Sequence, residues 1–300
     1  MDSILVTGST GLAASKILQR SRGGDILVQL LGRNWPLDGM LSSAPFHEAD
    51  LLDRDAIMDA VRRSKALYII HTAAMTDVDG CEREPDLAWQ INVEGTRHVA
   101  EAAAALGLHL VFVSTDYVFS GEHGPYRETD AVDPRSVYGK TKLAAEQIIA
   151  ELCPSAAIAR TSTLYGYSPG VRPNFVTWLV GQLREKKPVT IVTDQISSPT
   201  LAENLAEMLL MLSAKRSSGV YHTVGGEWMS RFDFALAVAD AFNLDRSLIN
   251  PCVTADLHQL APRPAHSGLI VDKIRTLDAE PMSVKEALGS MQRQMEKVRV

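Results

Sequence analysis

Tyr138 and Lys142 stand four residues apart in Tyr138-Gly139-Lys140-Thr141-Lys142, and on a helix such residues share a face about 5 to 6 Å from one another. A free phenol titrates near pH 10, and a close ammonium favours the phenolate. Lowering it by about two pH units takes roughly 2.7 kcal/mol, within reach of one partly desolvated charge. Such a phenol can hand a proton to a carbonyl oxygen as hydride reaches the carbon, or run the reverse. The plain alternative is a surface tyrosine lying along a lysine stem. Against that alternative, an apolar run from Leu108 delivers Ser114-Thr115-Asp116-Tyr117 at its carboxyl end, where open α/β sheets bind their ligands. A hydroxyl at Thr115 could hold the oxygen that Tyr138 protonates, so Thr115, Tyr138 and Lys142 are the catalytic candidates.

A hydride donor needs a seat. Directly after the first apolar run comes Thr7-Gly8-Ser9-Thr10-Gly11-Leu12-Ala13-Ala14, ahead of a helix-forming stretch. Glycines that end a strand and open a helix present free N–H groups at the positive end of the helix dipole, a site for a diphosphate. The spacing is one residue off the G-x-G-x-x-G fingerprint, and the same residues could make a plain strand-to-helix turn. After the second strand, Leu31-Gly32-Arg33-Asn34 places an arginine where a 2′-phosphate would lie, tilting the choice to NADP over NAD; a solvated loop arginine is the other reading. Asp50 suits either the adenine or a helix cap before Leu51.

These groups need rigid strands and helices to aim them. Candidate strands are Ser3 to Thr7, Ile26 to Leu31, Leu67 to His71, Leu108 to Ser114 and Ala156 to Arg160, nearly continuous in apolar character as in strands buried on both faces. Helices are expected over Glu84 to Leu106 and Ser136 to Leu152. The alternation predicts an α/β fold with a doubly wound parallel sheet, a Rossmann domain over 1–165. Past the loop from Gly166 to Pro173, helices near Phe175 to Lys186, Leu201 to Leu212 and Ser230 to Phe242 alternate with strands Val189 to Val192 and Val220 to Val224. This region, 166–300, reads as a smaller substrate-binding α/β part returning in places to the first. It is expected to be too short and broken to need a core of its own.

The 300 residues carry 30 basic and 36 acidic side chains, net −6, the wrong sign for a chain that holds nucleic acid. Three scattered cysteines, Cys81, Cys153 and Cys252, indicate neither a disulfide framework nor a metal site. No apolar stretch approaches the 20 or so residues that span a bilayer, and the start lacks a signal-peptide pattern. The expectation is a cytoplasmic protein with no metal, no membrane partner and no nucleic acid, with a homodimer left open.

Gly8-x-x-Gly11-x-x-Ala14, Thr115 and Tyr138-x-x-x-Lys142 resemble the signature of the extended short-chain dehydrogenase/reductases. More narrowly, Ser114 to Gly121, Pro125 to Asp130, Val137 to Glu146, His71 to Asp79, Ile91-Asn92-Val93, Arg160-Thr161-Ser162, Asn174-Phe175, Asp194-Gln195, Pro199-Thr200 and Arg263-Pro264 resemble the dTDP-4-dehydrorhamnose reductase family. The resemblance implies an NADP(H)-dependent reductase of a nucleotide-linked 4-keto-6-deoxy sugar, with Tyr138 as acid and Lys142 also holding the nicotinamide ribose. It implies cofactor contacts at Gly8, Thr10, Gly11, Leu12, Arg33, Asp50, Leu51, Ala73, Ala74 and Asn92, with Asn92 also in a supporting hydrogen-bond network. Substrate contacts would fall at Thr76, Val78, Asp116, Tyr117, Asn174, Gln195, Thr200 and Arg263, although Asn174 and Gln195 on their own suit structural hydrogen bonds.

Dehydratases of this group resemble Thr-Asp-Glu at the catalytic strand end and epimerases a serine-rich one, whereas here Thr115-Asp116-Tyr117 favours net reduction. Two departures from the reductase pattern bear on the sugar. Thr163 stands where the family has tryptophan, and Ile196-Ser197-Ser198 lacks a glycine. Two other readings stay open: a reductase of a non-sugar ketone, or a non-catalytic NADP-binding regulator similar to the β subunit of methionine adenosyltransferase.

Overall fold

Short β-branched strands alternate with helices along the computed structural model, which describes residues 2–22, 24, 26–34 and 44–297. The first half runs β1 (Asp2–Thr7), α1 (Leu12–Ser21), β2 (Ile26–Gly32), β3 (Phe46–Glu48), α2 (Arg54–Ser64), β4 (Tyr68–His71), α3 (Val78–Arg83), α4 (Pro85–Trp89), α5 (Gly95–Leu106), β5 (His109–Thr115), α6 (Val137–Leu152) and β6 (Ala157–Thr161). Then come β7 (Leu164–Tyr165), α7 (Phe175–Arg184), β8 (Val189–Val192), β9 (Ile196–Ser197), β10 (Thr200–Leu201), α8 (Ala202–Ala214), β11 (Gly219–His222), β12 (Met229–Ser230), α9 (Arg231–Ala241), β13 (Ile249–Cys252), α10 (Asp272–Arg275) and α11 (Val284–Lys297).

Seven strands form one parallel sheet in the order β11-β6-β5-β4-β1-β2-β3. Chain order reverses between β1 and β4, the switch point at which such sheets open a crevice for a ligand. The strands are buried on both faces, as their composition requires: Ile4 and Val6 pack with α1 and α8 on one side, while Leu5 packs with α2, α5 and α6 on the other. Each such aliphatic side chain contributes roughly 1.5 to 3 kcal/mol relative to exposure.

The expected strands and the helix at Ser136 to Leu152 appear within a residue or two. The stretch Glu84 to Leu106 is helical, but Gln90–Glu94 winds as a π-turn between α4 and α5. Helix α2 escaped the sequence reading because five of its eleven residues are charged; Asp53 starts it by accepting the N–H of Ala56 at 2.9 Å.

The later region departs from expectation in one respect. Strand β11 and helix α8 join the main sheet and its core, yet α7, α9 and α11 close around a separate apolar cluster of Tyr165, Leu179, Phe234, Leu288 and their neighbours. Val189 and Ile191 of β8 and Ile249 of β13 complete it.

Candidate active site

The turn after β1 is built for a close approach. Gly8 has φ +80°, and a Cβ there would lie 3.0 Å from Thr72 Oγ1 and 3.2 Å from the backbone of Ala73. Gly11 opens α1 with no side-chain cap and no acidic residue in the first turn. The first helical N–H to find its acceptor is that of Ser15, on Gly11 O at 3.1 Å. The N–H groups of Leu12, Ala13 and Ala14 therefore point unshared at the positive end of the helix dipole. An uncapped helix start beneath a glycine turn, faced by the small residue Ala73, fits a dinucleotide diphosphate. Thr10 is exposed on the same turn.

Arg33 and Asp50 lie together at the ends of β2 and β3, 3.9 Å apart and largely exposed, so the guanidinium is free to meet an anion. Asp50 also accepts the N–H of Leu52 at 3.0 Å, which makes it a turn residue as well. Leu51 packs over Gly95, where a Cβ would sit 2.9 Å from its own, and gives its carbonyl to His98 at 2.7 Å.

A buried hydrogen-bond chain, of which only Asn92 was anticipated, stiffens the crevice. Thr7 Oγ1 accepts the N–H groups of Thr72 and Ala73 and lies 2.6 Å from His71 Nδ1. His71 Nε2 lies 3.1 Å from Thr96 Oγ1, which donates to Asn92 O at 2.7 Å. The directions then follow: Thr7 gives its proton to Nδ1, and Nε2–H donates to Thr96, leaving a neutral imidazole. Burial holds His71 down to about 3, with the Lys142 charge acting the same way. Asn92, inside the π-turn, accepts from Met75 N at 2.7 Å and donates to Met75 O and to Thr141 Oγ1. Asn92 thus ties the crevice to the helix that carries Tyr138, since Thr141 Oγ1 donates to Tyr138 O at 2.8 Å.

Helix α6 begins at Ser136, whose hydroxyl accepts the N–H of Gly139 at 3.1 Å. Tyr138 lies on its first turn with its ring edge against Tyr117, centroids 5.7 Å apart. Thr115 Oγ1 donates to Asp116 Oδ1 at 3.1 Å and accepts the N–H of Tyr117. Burial pushes the phenol of Tyr138 upward, the Thr115 hydroxyl beside it offsets only part, and the Asp116 charge adds to the rise.

The expected acidification by Lys142 is not present in this geometry. Lys142 Nζ donates to Val113 O at 2.7 Å and rests 4.0 Å above the Phe112 ring. Burial lowers this amine to about 7, and Glu146, itself paired with buried Arg160, raises it only in part. Its partner is the strand carbonyl, so the phenol stays neutral.

In front of Tyr117 opens a cavity of about 560 Å³ lined by Thr76, Val78, Tyr117, Gln195 and Arg263, five of the eight expected substrate residues. Arg172, Arg231 and Gln259 also line it and were not anticipated; they carry no local motif and meet only through the fold. Arg231 makes no ion pair among the described residues and lies over Phe175 at 4.7 Å. Arg263 is held by Asp79 at 3.0 Å, and Gln195 Nε2 donates to Thr254 and Gln259.

Three expected residues lie elsewhere. Asp116 is 2% exposed and accepts from Thr115, Ser162 and Ser267, pinning three segments together; burial raises its carboxyl despite those donors. Asn174 caps α7 and donates to Gly166 O at 2.7 Å. Thr200 is fully buried and donates to Ser198 O. The two departures from the family pattern touch: Thr163, at φ +35°, places Oγ1 2.8 Å from Ser197 Oγ.

A doubly wound parallel sheet with a glycine turn at its switch point and a Thr-Tyr-Lys set beside an arginine-lined cavity defines an extended short-chain dehydrogenase/reductase fold. The chain belongs to the family of the RmlD substrate binding domain, which matches residues 1–297. It is 32% identical over 304 residues to a dTDP-4-dehydrorhamnose reductase of Aggregatibacter actinomycetemcomitans, covering 97% of this chain and 98% of that one. It is equally 32% identical over 283 residues to the methionine adenosyltransferase 2 subunit beta of Bos taurus, covering 91% and 82%. The crystal structure of a dTDP-4-dehydrorhamnose reductase from Bacillus anthracis in complex with NADP superposes with a TM-score of 0.85 at 31% identity, over 98% of this chain and 99% of the other. Among the described residues no helix is long and apolar enough to cross a membrane.

Proposed function

We propose that the chain is an NADPH-dependent oxidoreductase that reduces the keto group of a nucleotide-linked 4-keto-6-deoxy sugar, as the names of its reductase relatives suggest. The observation that carries this reading is the position of Tyr138, packed edge-on against Tyr117, which lines an arginine-rich cavity. Arg231, Arg263 and Arg172 suit the diphosphate of a sugar nucleotide. The uncapped start of α1 and Arg33 suit the phosphates of NADP, and bound reduced nicotinamide supplies a hydride.

The protein's own part is positioning and one proton. Thr115 fixes the loop beside the ketone through Asp116 and Tyr117 N. Tyr138, neutral at physiological pH, gives its hydroxyl proton to the oxygen of the reduced carbon and regains one from solvent. Lys142, anchored on the Val113 carbonyl, would hold the nicotinamide ribose.

The test is to mix the protein with NADPH and dTDP-4-keto-6-deoxyglucose and follow the loss of reduced cofactor. Oxidation that vanishes in Tyr138→Phe supports the reading. Tight NADPH binding with no turnover of any ketone overturns it and favours a binding role like that of a regulatory subunit, which the equal similarity to the methionine adenosyltransferase subunit makes the second reading.

A further inference from the structure

Helix α3 is a turn and a half long, yet it touches both halves of the site. Asp79 Oδ1 accepts from Arg263 Nη2 at 3.0 Å and from the backbone N–H of Ala261 at 3.0 Å, so one carboxylate oxygen fixes the guanidinium and the loop that bears it. Three residues on, Glu82 Oε1 accepts the N–H of Val137 at 2.8 Å. Val137 is the first residue of α6, directly before Tyr138, and its N–H has no acceptor within its own helix. Between the two acids, Cys81 is fully buried and its sulfur lies 3.6 Å from Met75 O, the carbonyl that Asn92 also holds. Asp77 caps the helix by accepting Gly80 N at 3.0 Å. The helix is therefore locked at its start, its middle and both functional side chains.

We infer that α3 is a coupling strut, with Asp79 and Glu82 as positioning residues: an anion on Arg263 restrains Asp79, and through α3 and Glu82 it steadies the first turn of α6 on which Tyr138 sits. Neither acid meets the reacting atoms. Asp79 acts through Arg263, which it holds in the cavity at 12% exposure, and Glu82 acts through a backbone amide. The inference rests on the reading of the cavity as a nucleoside diphosphate site.

The probe is thymidine diphosphate, with binding read by calorimetry and the α6 start read by hydrogen exchange of the 134–142 segment. In the wild-type protein the nucleotide should slow exchange of that segment about tenfold. Asp79→Asn keeps an acceptor for Ala261 but loses the ion pair. It should weaken nucleotide binding roughly tenfold and abolish the protection, with NADPH affinity within about twofold of wild type. Glu82→Leu should speed exchange at 134–142 without the nucleotide, and Glu82→Gln, which still offers a carbonyl oxygen to Val137, should restore it. Protection that persists in Asp79→Asn, or a segment indifferent to the nucleotide, overturns the inference. A protein that binds thymidine diphosphate but reduces no ketone defeats the reductase reading alone, because the exchange series decides the strut without turnover. A wild-type chain that binds no nucleoside diphosphate defeats both.

Discussion

The ammonium of Lys142 donates to the carbonyl of Val113 at 2.7 Å, with its charge 4.0 Å above the ring of Phe112. Burial brings the amine to about 7 from an ordinary 10.5. Between those two pH values the unfolded chain binds a proton that the folded one does not, so stability rises with pH across the window. Below about pH 7 the full penalty is present, roughly 5 kcal/mol on this shift. Lys142→Met should therefore be more stable than wild type at pH 6, and the advantage should shrink steadily toward pH 10.5. Urea unfolding at a series of pH values checks this; two parallel stability curves would show that the amine does not titrate in that range.

Gly139 shows how closely Tyr138 is held. A Cβ there would lie 2.3 Å from Tyr117 O and 3.1 Å from Tyr117 C, both backbone atoms. Helix propensity alone makes Gly139→Ala a gain of about 1 kcal/mol, but the collision must push α6 from the Thr115 to Tyr117 loop. The expected result is a loss of turnover of about a hundredfold, the scale of a 1 Å misplacement, with NADPH affinity nearly unchanged. Steady-state kinetics with a separate cofactor titration tests it; a fully active variant would mean that the spacing of the two segments is immaterial.

The sheet was readable because strands buried on both faces must be apolar throughout, as in Leu110 to Val113, and because glycine at position 8 answers a positive φ and a close neighbour. What stayed hidden depends on distant contacts. The π-turn at Asn92 is stabilised by bonds to Met75 and Thr141, seventeen and forty-nine positions away, and nothing local marks it. Arg172 and Arg231 come from a Pro-rich loop and a helix start, with no shared pattern. Asp116 was expected at the substrate from the family resemblance, but it opens a 3-10 turn over Asp116–Val118, and its carboxylate is held inside the protein by Ser162 and Ser267, 46 and 151 positions away.

His71 is a neutral imidazole locked between two threonines and held down to about 3 by burial first and the Lys142 charge second. Its folded value lies below the unfolded 6.5, so the unfolded chain takes the proton first as pH falls, and stability is lost from about pH 6.5 down to 3. His222, lowered to about 4 by burial, adds a loss of the same sign. His71→Gln keeps an acceptor and a donor but cannot titrate. It should cost about 1 to 2 kcal/mol at pH 8 and lose less stability than wild type between pH 7 and pH 4. Denaturant midpoints at those three pH values check this; an equal acid loss in both proteins would place the sensitivity elsewhere.

Arg231 lines the cavity without an ion pair among the described residues, and burial lowers its pKa from the ordinary guanidinium value. A partly desolvated cation without a counter-ion costs stability until a ligand supplies the charge, whereas Arg263 already has Asp79. The two arginines should therefore respond differently. In Arg231→Met the ligand-free protein should melt at the same temperature or a few degrees higher, while thymidine diphosphate binds roughly 10- to 150-fold more weakly, the value of one charged hydrogen bond. In Arg263→Met, Asp79 loses its partner, so the ligand-free protein should melt lower. Thermal melts and calorimetry on the same preparations separate these outcomes. A lower melting temperature with unchanged nucleotide affinity in Arg231→Met would make that arginine a packing residue and leave the anion to Arg263 and Arg172.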